Sequence, residues 1–309
     1  MENRQGALDE TLEEGGREVS FSVLRGKRVF LTGHTGFKGS WLALWLRRIG
    51  AEVFGYSLPP PTEPSNYLLS KIASLLAGET LADIRDRPRL REALDACRPD
   101  IVFHLAAQPL VRAGYAQPYD TFDINVMGTA SLLDALRERN RPCAVVCITT
   151  DKCYENREQP WGYRECDALG GFDPYSASKG AAEILIASYR RAFFPPDKLP
   201  QHGIQLASAR AGNVIGGGDW AKDRLITDMV AALAAGRPAS IRNPHAIRPW
   251  QHVLEPLSGY LTLACAMLDK PAPRWSTPWN FGPVSGTEIP VGALADAFVN
   301  AWGAGSWKD

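Results

Sequence analysis

The sequence carries no surplus of charge. Lys plus Arg and Asp plus Glu number 34 each in 309 residues, which removes the bulk attraction that draws a protein to nucleic acid or to an acidic membrane. No apolar run approaches the roughly 20 residues needed to span a bilayer. The N-terminus lacks the basic-then-apolar layout of a secretory signal. The six cysteines (Cys97, Cys143, Cys147, Cys153, Cys166 and Cys265) include no C-x-x-C pair, so they read as reduced thiols of a cytoplasmic protein. Five histidines without an H-x-x-x-H spacing offer no metal site, and no internal repeat is present. These absences leave a soluble globular chain, long enough to bury a large core and suited to a two-part enzyme.

One stretch organises the rest. Val29, Phe30 and Leu31 read as a short buried strand, and Gly33, Gly36 and Gly39 follow at intervals of three. Trp41, Leu42, Trp45, Leu46 and Ile49 then recur at helical spacing. A strand entering a glycine-rich turn and then a helix aims backbone N–H groups and the positive helix end at one spot, a site for a pyrophosphate. Gly33 permits the tight turn, Gly36 the close approach of phosphate, and Gly39 the packing of helix on sheet. His34 and Lys38 lie inside this turn, either as phosphate ligands or as solvated turn residues.

The polar residues 1–20 read as a flexible tail. A second strand, Ala51 to Tyr56, ends at Ser57. A dinucleotide-binding strand often places an acid for the ribose there, so NAD against NADP stays open at this position. Asp83 and Asp86 precede a helix over Arg89–Cys97, and Asp100–Leu105 reads as a strand ending in the small pair Ala106-Ala107. A helix around Asn125–Arg137 leads to Ala144–Ile148, apolar throughout as an interior parallel strand should be. This alternation predicts an α/β fold: a doubly wound parallel Rossmann-type sheet over 21–205, with a smaller, discontinuous C-terminal substrate region over 206–309. Beyond Gly216-Gly217-Gly218 the pattern breaks into short helices and loops rich in Pro, Trp and Arg.

Sites on such sheets lie at the carboxyl ends of the strands. Thr149, Thr150, Asp151 and Lys152 follow the apolar strand directly. Tyr175 and Lys179 stand four apart at the start of a helix running to Ala192, one turn apart on one face. A nearby cation would favour the Tyr175 phenolate as a base; a plain surface Tyr and Lys would show the same spacing. Asn125 either bonds backbone or positions the lysine through water. Arg210, Arg224, Arg242 and Arg248 gather with Trp220 and Trp250. Guanidinium groups suit a diphosphate and aromatic faces a base, although each residue alone would equally serve a charged surface or a core.

Together these residues resemble the extended short-chain dehydrogenase/reductases that act on nucleotide-sugars, and among them the 4,6-dehydratases of CDP-glucose. The resemblance runs from about residue 22 to the end. It rests on Thr32–Trp41, on His104–Arg112, on Thr149–Asn156, on Gly212–Trp220 and on Arg248-Pro-Trp-Gln-His252. Asp151-Lys152 is its most restrictive feature, since most other 4,6-dehydratases have Asp-Glu there.

The resemblance implies a mechanism. Tyr175 takes the 4-hydroxyl proton while NAD accepts the C4 hydride, and Thr150 bonds the same oxygen. Asp151 protonates the departing C6 hydroxyl, and Lys152 stands where relatives keep the Glu that takes the C5 proton, either as that base or as a charge steadying the enolate. Lys179 and Asn125 complete the catalytic set. Gly33, His34, Gly36, Phe37, Lys38, Gly39, Asp83, Ile84, Ala106 and Ala107 would join Tyr175 and Lys179 in holding NAD. Gln108, Asn213, Trp220, Arg224, Arg242 and Arg248 would hold CDP-glucose. Association as a homodimer or homotetramer through two long helices is also implied. Relatives continue past the point where this sequence stops, which predicts a C-terminally short substrate region. Two other readings stand beside it: a different nucleotide-sugar dehydratase or epimerase, and a non-catalytic protein that binds NAD or a nucleotide-sugar.

Overall fold

The structure is a computed structural model that describes residues 21–159, 161–283 and 289–309; the expected tail over 1–20 lies outside the described residues. Seven strands form the main sheet: β1 (Arg28–Thr32), β2 (Glu52–Ser57), β3 (Gly78–Leu81), β4 (Ile101–His104), β5 (Cys143–Ile148), β6 (Ile204–Ala211) and the strand Pro278–Phe281. Their spatial order is Pro278–Phe281, β6, β5, β4, β1, β2, β3, and every neighbouring pair is parallel. The chain winds outward from β1 to β3, returns to β4, and then winds the other way. Winding therefore reverses between β1 and β4, and a crevice opens beyond their carboxyl ends.

Side chains that alternate along each strand feed a core on either face. Val29 and Leu31 pack with Leu42, Leu46, Val146 and Leu257 on one side. Phe30 packs with Leu90, Leu94, Leu132 and Val145 on the other. Each fully buried aliphatic side chain contributes about 1.5–3 kcal/mol, so the sheet is a rigid base for whatever its strand ends carry. Helix boundaries follow local chemistry. Gly50, at φ 97°, closes the helix Phe37–Ile49 in the left-handed region. Asp173 caps the helix Pro174–Ala192 by accepting from the Ser176 N–H, with proline in the first turn.

Three elements differ from the sequence expectations. The helix expected from Asn125 begins as a π-helical turn over Asp123–Met127 and continues as α-helix over Gly128–Arg139. The edge strand β3 has only four residues, too short to announce itself. Beyond β6 the chain does more than fragment: the 16-residue helix Leu254–Asp269 packs on the sheet, and Pro278–Phe281 returns as its seventh strand. That helix is buried over much of its surface, so its residues are apolar on several faces and show little 3.6-residue contrast. Before these returns, Asn213–Ile215 pairs with Trp250–His252. The helices Leu225–Ala234 and Val291–Trp302 enclose a small separate core of Met229, Ala239, Ile241, Val291 and Ala295.

Candidate active site

The glycine turn is built to stay open. Gly33 sits at φ 74°, and a Cβ there would meet the Ala106 nitrogen at 2.8 Å. A Cβ at Gly39 would collide with the Gly33 carbonyl oxygen. Gly36 is under neither constraint; its nearest contact would be 3.4 Å away, so the backbone geometry alone does not demand glycine there. No side chain caps the helix Phe37–Ile49, and its first N–H groups remain directed at the crevice. Thr32 Oγ1 accepts from the N–H groups of Leu105 and Ala106 at 3.1 Å, drawing the Ala106-Ala107 loop against the turn. Phe37 reaches across toward Gly216.

His34 does not present its ring to this opening. The residue is fully buried, Nε2 lies 2.7 Å from Glu79 Oε1, and the ring fills the space beside Gly55, where a Cβ would come within 2.7 Å. Burial holds the imidazole below its ordinary pKa against the pull of Glu79. His34 thus pins the turn to β2 and β3. Asp83 follows β3 with its carboxylate in a fork from Arg85, at 3.0 and 2.7 Å, which holds it below the usual carboxylate range. Ile84 is buried against Gly128.

At the end of β5, Thr150 Oγ1 donates to Asp151 Oδ1 at 2.9 Å, and Lys152 Nζ lies 3.8 Å from the same oxygen. Tyr175 reaches this cluster from the helix Pro174–Ala192. Burial pushes its phenol up to about 12; the Thr150 hydroxyl pulls it down, Asp151 raises it, and Arg224 lowers it. The expected depression by Lys179 is therefore not what this environment produces, because desolvation outweighs the charges around the phenol. Lys179 is itself buried, which lowers its pKa to about 8, and Nζ donates to the Ile148 carbonyl at 3.4 Å.

Asn125 sits in the π-helical turn, buried, and joins the loop after β4 to the helix Pro174–Ala192. Its Oδ1 accepts from the Gln108 N–H at 2.8 Å, and its Nδ2 donates to the Gln108 carbonyl and to Ser178 Oγ. It orders the loop after β4 and the residue beside Lys179. The Gln108 side chain is spent locally, on Thr121 and the Leu110 N–H.

On the opposite wall, Arg224 forms a 2.6 Å pair with Asp219 and is close enough to Tyr175 and Lys38 to move both their pKa values. Asn213 Oδ1 is buried without a hydrogen-bond partner among the described residues. Trp220 is 40% exposed. A Cβ at Gly212 would meet Pro249 and come within 3.3 Å of Asp151 Oδ2; Arg248, the residue before Pro249, is exposed and its guanidinium donates to the Ile247 carbonyl at 2.8 Å. Arg242 is exposed, with its charge felt at Asp228 rather than at the cluster.

Three residues that sequence reasoning missed or misplaced complete the setting. Arg210 is buried in an ion pair with Glu183, at 2.7 Å, not among surface arginines. Glu183 was legible as an acid four residues after Lys179 on an otherwise apolar face. Tyr260, on the helix Leu254–Asp269, is fully buried with its hydroxyl unpartnered among the described residues, and nothing in its apolar surroundings announced it.

Comparison with known proteins identifies the family. A family described as GDP-mannose 4,6 dehydratase matches residues 30–272. A CDP-glucose 4,6-dehydratase of Salmonella typhimurium is 52% identical over 279 residues, 90% of this chain and 77% of that protein. A CDP-paratose 2-epimerase of Salmonella typhi is 30% identical over 63% of this chain and 59% of its own length. A dTDP-glucose 4,6-dehydratase from Streptomyces venezuelae, solved with NAD bound, shares the fold at TM-score 0.74 and 23% identity, covering 90% of this chain and 81% of that one. A UDP-glucose 4-epimerase from Thermotoga maritima does so at 0.75 and 18%, covering 91% and 85%. The chain belongs to the GDP-mannose 4,6-dehydratase family of extended short-chain dehydrogenase/reductases.

Proposed function

We propose that this chain dehydrates CDP-glucose to CDP-4-dehydro-6-deoxyglucose with NAD as a cofactor that is used and regenerated. The observation that carries the reading is the 52% identity to a CDP-glucose 4,6-dehydratase, in a chain whose Thr150, Asp151, Lys152 and Tyr175 meet at one strand end. The turn fits a dinucleotide: Gly33 and Gly39 leave no room for a Cβ, and uncapped N–H groups suit a pyrophosphate. Gly36, Phe37, Lys38, Asp83, Ile84, Ala106 and Ala107 line the same end of the sheet. NAD bound there supplies a hydride acceptor for C4 and a donor for C6.

Tyr175 takes the proton of the sugar 4-hydroxyl, and Thr150 bonds that oxygen. The buried phenol is a strong base once ionised, and Arg224 and Thr150 favour the ionised form. Asp151 gives a proton to the C6 hydroxyl as it leaves. Asn125 and Lys179 hold the floor of the site, and Asn213, Trp220, Arg224 and Arg248 receive the CDP group from the far wall. The Gln108 side chain is held by Thr121 and the Leu110 N–H, and Arg242 is exposed, so neither is given a direct part in the reaction.

The reading extends to assembly and setting. Tyr115, Tyr119, Met127 and Ile184 are all more than half exposed on neighbouring helical segments, an apolar face suited to a second copy of the chain. Six free thiols support a reducing, cytoplasmic setting, and no helix of the described residues is long and apolar enough to cross a membrane. Replacing Tyr175 with Phe tests the catalytic reading: turnover should fall by about 10²–10⁴-fold while NAD and CDP-glucose still bind. Equal behaviour of parent and variant would favour a binding protein instead.

A further inference from the structure

After β6 ends at Ala211, the chain crosses the carboxyl end of the sheet. β5 and β4 separate β6 from β1, yet residues 216–218 lie against the helices that follow β1 and β2. A Cβ at Gly216 would come within 3.4 Å of the Phe37 ring, and one at Gly218 within 2.8 Å of the Asn66 side chain. Between them the Gly217 carbonyl accepts from Trp41 Nε1 at 2.8 Å. Gly218 sits at φ 84°, in the left-handed region, where glycine lets the backbone approach this closely. The three glycines are a seam along the start of the helix Phe37–Ile49.

The chain then turns back. Asp223, at φ 64°, pairs with Arg112 Nη1 at 2.6 Å. Arg112 belongs to the helix Val111–Ala116, which follows β4. The two anchors therefore stand on opposite banks of the crevice, one beyond β1 and one beyond β4, where the winding of the sheet reverses. Contacts within the span stiffen it. Arg224 pairs with Asp219, and Asp219 Oδ1 also accepts from the Ala221 N–H at 3.2 Å. The Arg224 charge is felt both at Lys38 of the glycine turn and at Tyr175 of the catalytic cluster, so the span passes close to each.

We infer that residues 216–224 form a strap across the mouth of the dinucleotide crevice, and that Trp41, Arg112 and Asp223 are positioning residues that hold it closed over NAD. The need for such a strap rests on the dehydratase reading above. In that reaction the hydride taken from C4 is the one returned to C6, so a reduced cofactor that left in mid-cycle would strand an oxidised sugar. Trp41, Arg112 and Asp223 act through the strap: the first fastens it to the bank that binds the pyrophosphate, and the other two to the bank beyond β4.

Release of NADH from the intact chain tests this. Protein loaded with NADH is mixed with excess NAD in a stopped-flow instrument, and the decay of bound-NADH fluorescence gives the rate. Arg112→Gln and Asp223→Asn each remove one charge, and asparagine tolerates the left-handed backbone at 223. These side chains are 61% and 37% exposed, so their replacement leaves the core untouched. Either variant should release NADH about two- to fivefold faster, the scale of an exposed ion pair, and the double variant no faster than either alone. Added salt should quicken release from the parent more than from Arg112→Gln. Trp41→Phe keeps a ring but cannot donate to Gly217, and should speed release about fivefold. A release rate that opening either anchor leaves unchanged would overturn the strap, as would a chain that binds no NADH. If release responded as expected but no nucleotide-sugar were dehydrated, the strap would stand and the dehydratase reading alone would fail.

Discussion

Glu183 lies one helical turn beyond Lys179 and closes a buried ion pair with Arg210, Oε2 to Nη2 at 2.7 Å. Its other oxygen accepts from Thr149 at 2.5 Å, and Ser208 donates to Oε2 at 2.9 Å. The helix that bears Tyr175 and Lys179 is thereby tied to the strand end that bears Thr150 and Asp151. Arg210 continues the chain outward through the Tyr154 hydroxyl, which in turn bonds Asn280. A few side chains thus fix the relative placement of the reactive groups.

Removing one member of such a pair leaves a buried charge uncompensated. Glu183→Ala should lower unfolding stability by about 3–5 kcal/mol, measured by urea denaturation. A loss below about 1 kcal/mol would show that the pair does not hold the helix to the sheet.

The glycine turn separates binding from folding. Gly39→Ala should destabilise the protein outright, because its Cβ meets the Gly33 carbonyl. Gly36→Ala has room for its methyl in the protein itself, so its melting temperature should stay near that of the parent while NAD affinity falls. Calorimetric binding alongside thermal melting checks the pair; unchanged affinity in Gly36→Ala would place the pyrophosphate elsewhere.

Much of this was legible because it depends on local pattern. The β1–turn–helix unit announces itself through apolar residues and glycine spacing, and Thr150, Asp151, Tyr175 and Lys179 follow from strand-end and helix-face arithmetic. Long-range partners were not legible. His34 looks like a ligand because it sits in the turn, yet Glu79 and Gly55, contributed by β3 and β2, decide where its ring goes. Tyr260 and the strand Pro278–Phe281 meet the sheet only 49 and 67 residues after the chain has left it at Ala211, and no window of sequence contains both sides of those contacts. The pKa of Tyr175 was equally hidden, since desolvation is a property of the folded surroundings.

His104 makes acid stability testable. It bridges Thr32 and Thr129 at 2.8 and 3.0 Å, and burial lowers its pKa from 6.5 to about 3. The unfolded chain binds the proton more readily, so the stability His104 contributes is present above pH 6.5 and is lost as pH falls toward 3. The loss approaches ~1.4 kcal/mol per pH unit within that window. His104→Asn should flatten this slope; an unchanged slope of unfolding free energy against pH would contradict it.

The exposed apolar face predicts self-association. Tyr119 is 81% exposed and Ile184 is 61%, on segments packed against each other. The double substitution Tyr119→Glu with Ile184→Glu should convert a dimer to a monomer in sedimentation analysis without lowering thermal stability by more than a few degrees. A parent chain that sediments as a monomer would refute the proposed interface.

The central claim is tested most directly by mass spectrometry of the purified chain incubated with NAD and CDP-glucose, with UDP-, GDP- and dTDP-glucose in parallel. Loss of one water from CDP-glucose, and not from the other three, is the predicted result. Binding without water loss from any of them, or water loss from another nucleotide-sugar in its place, would contradict it.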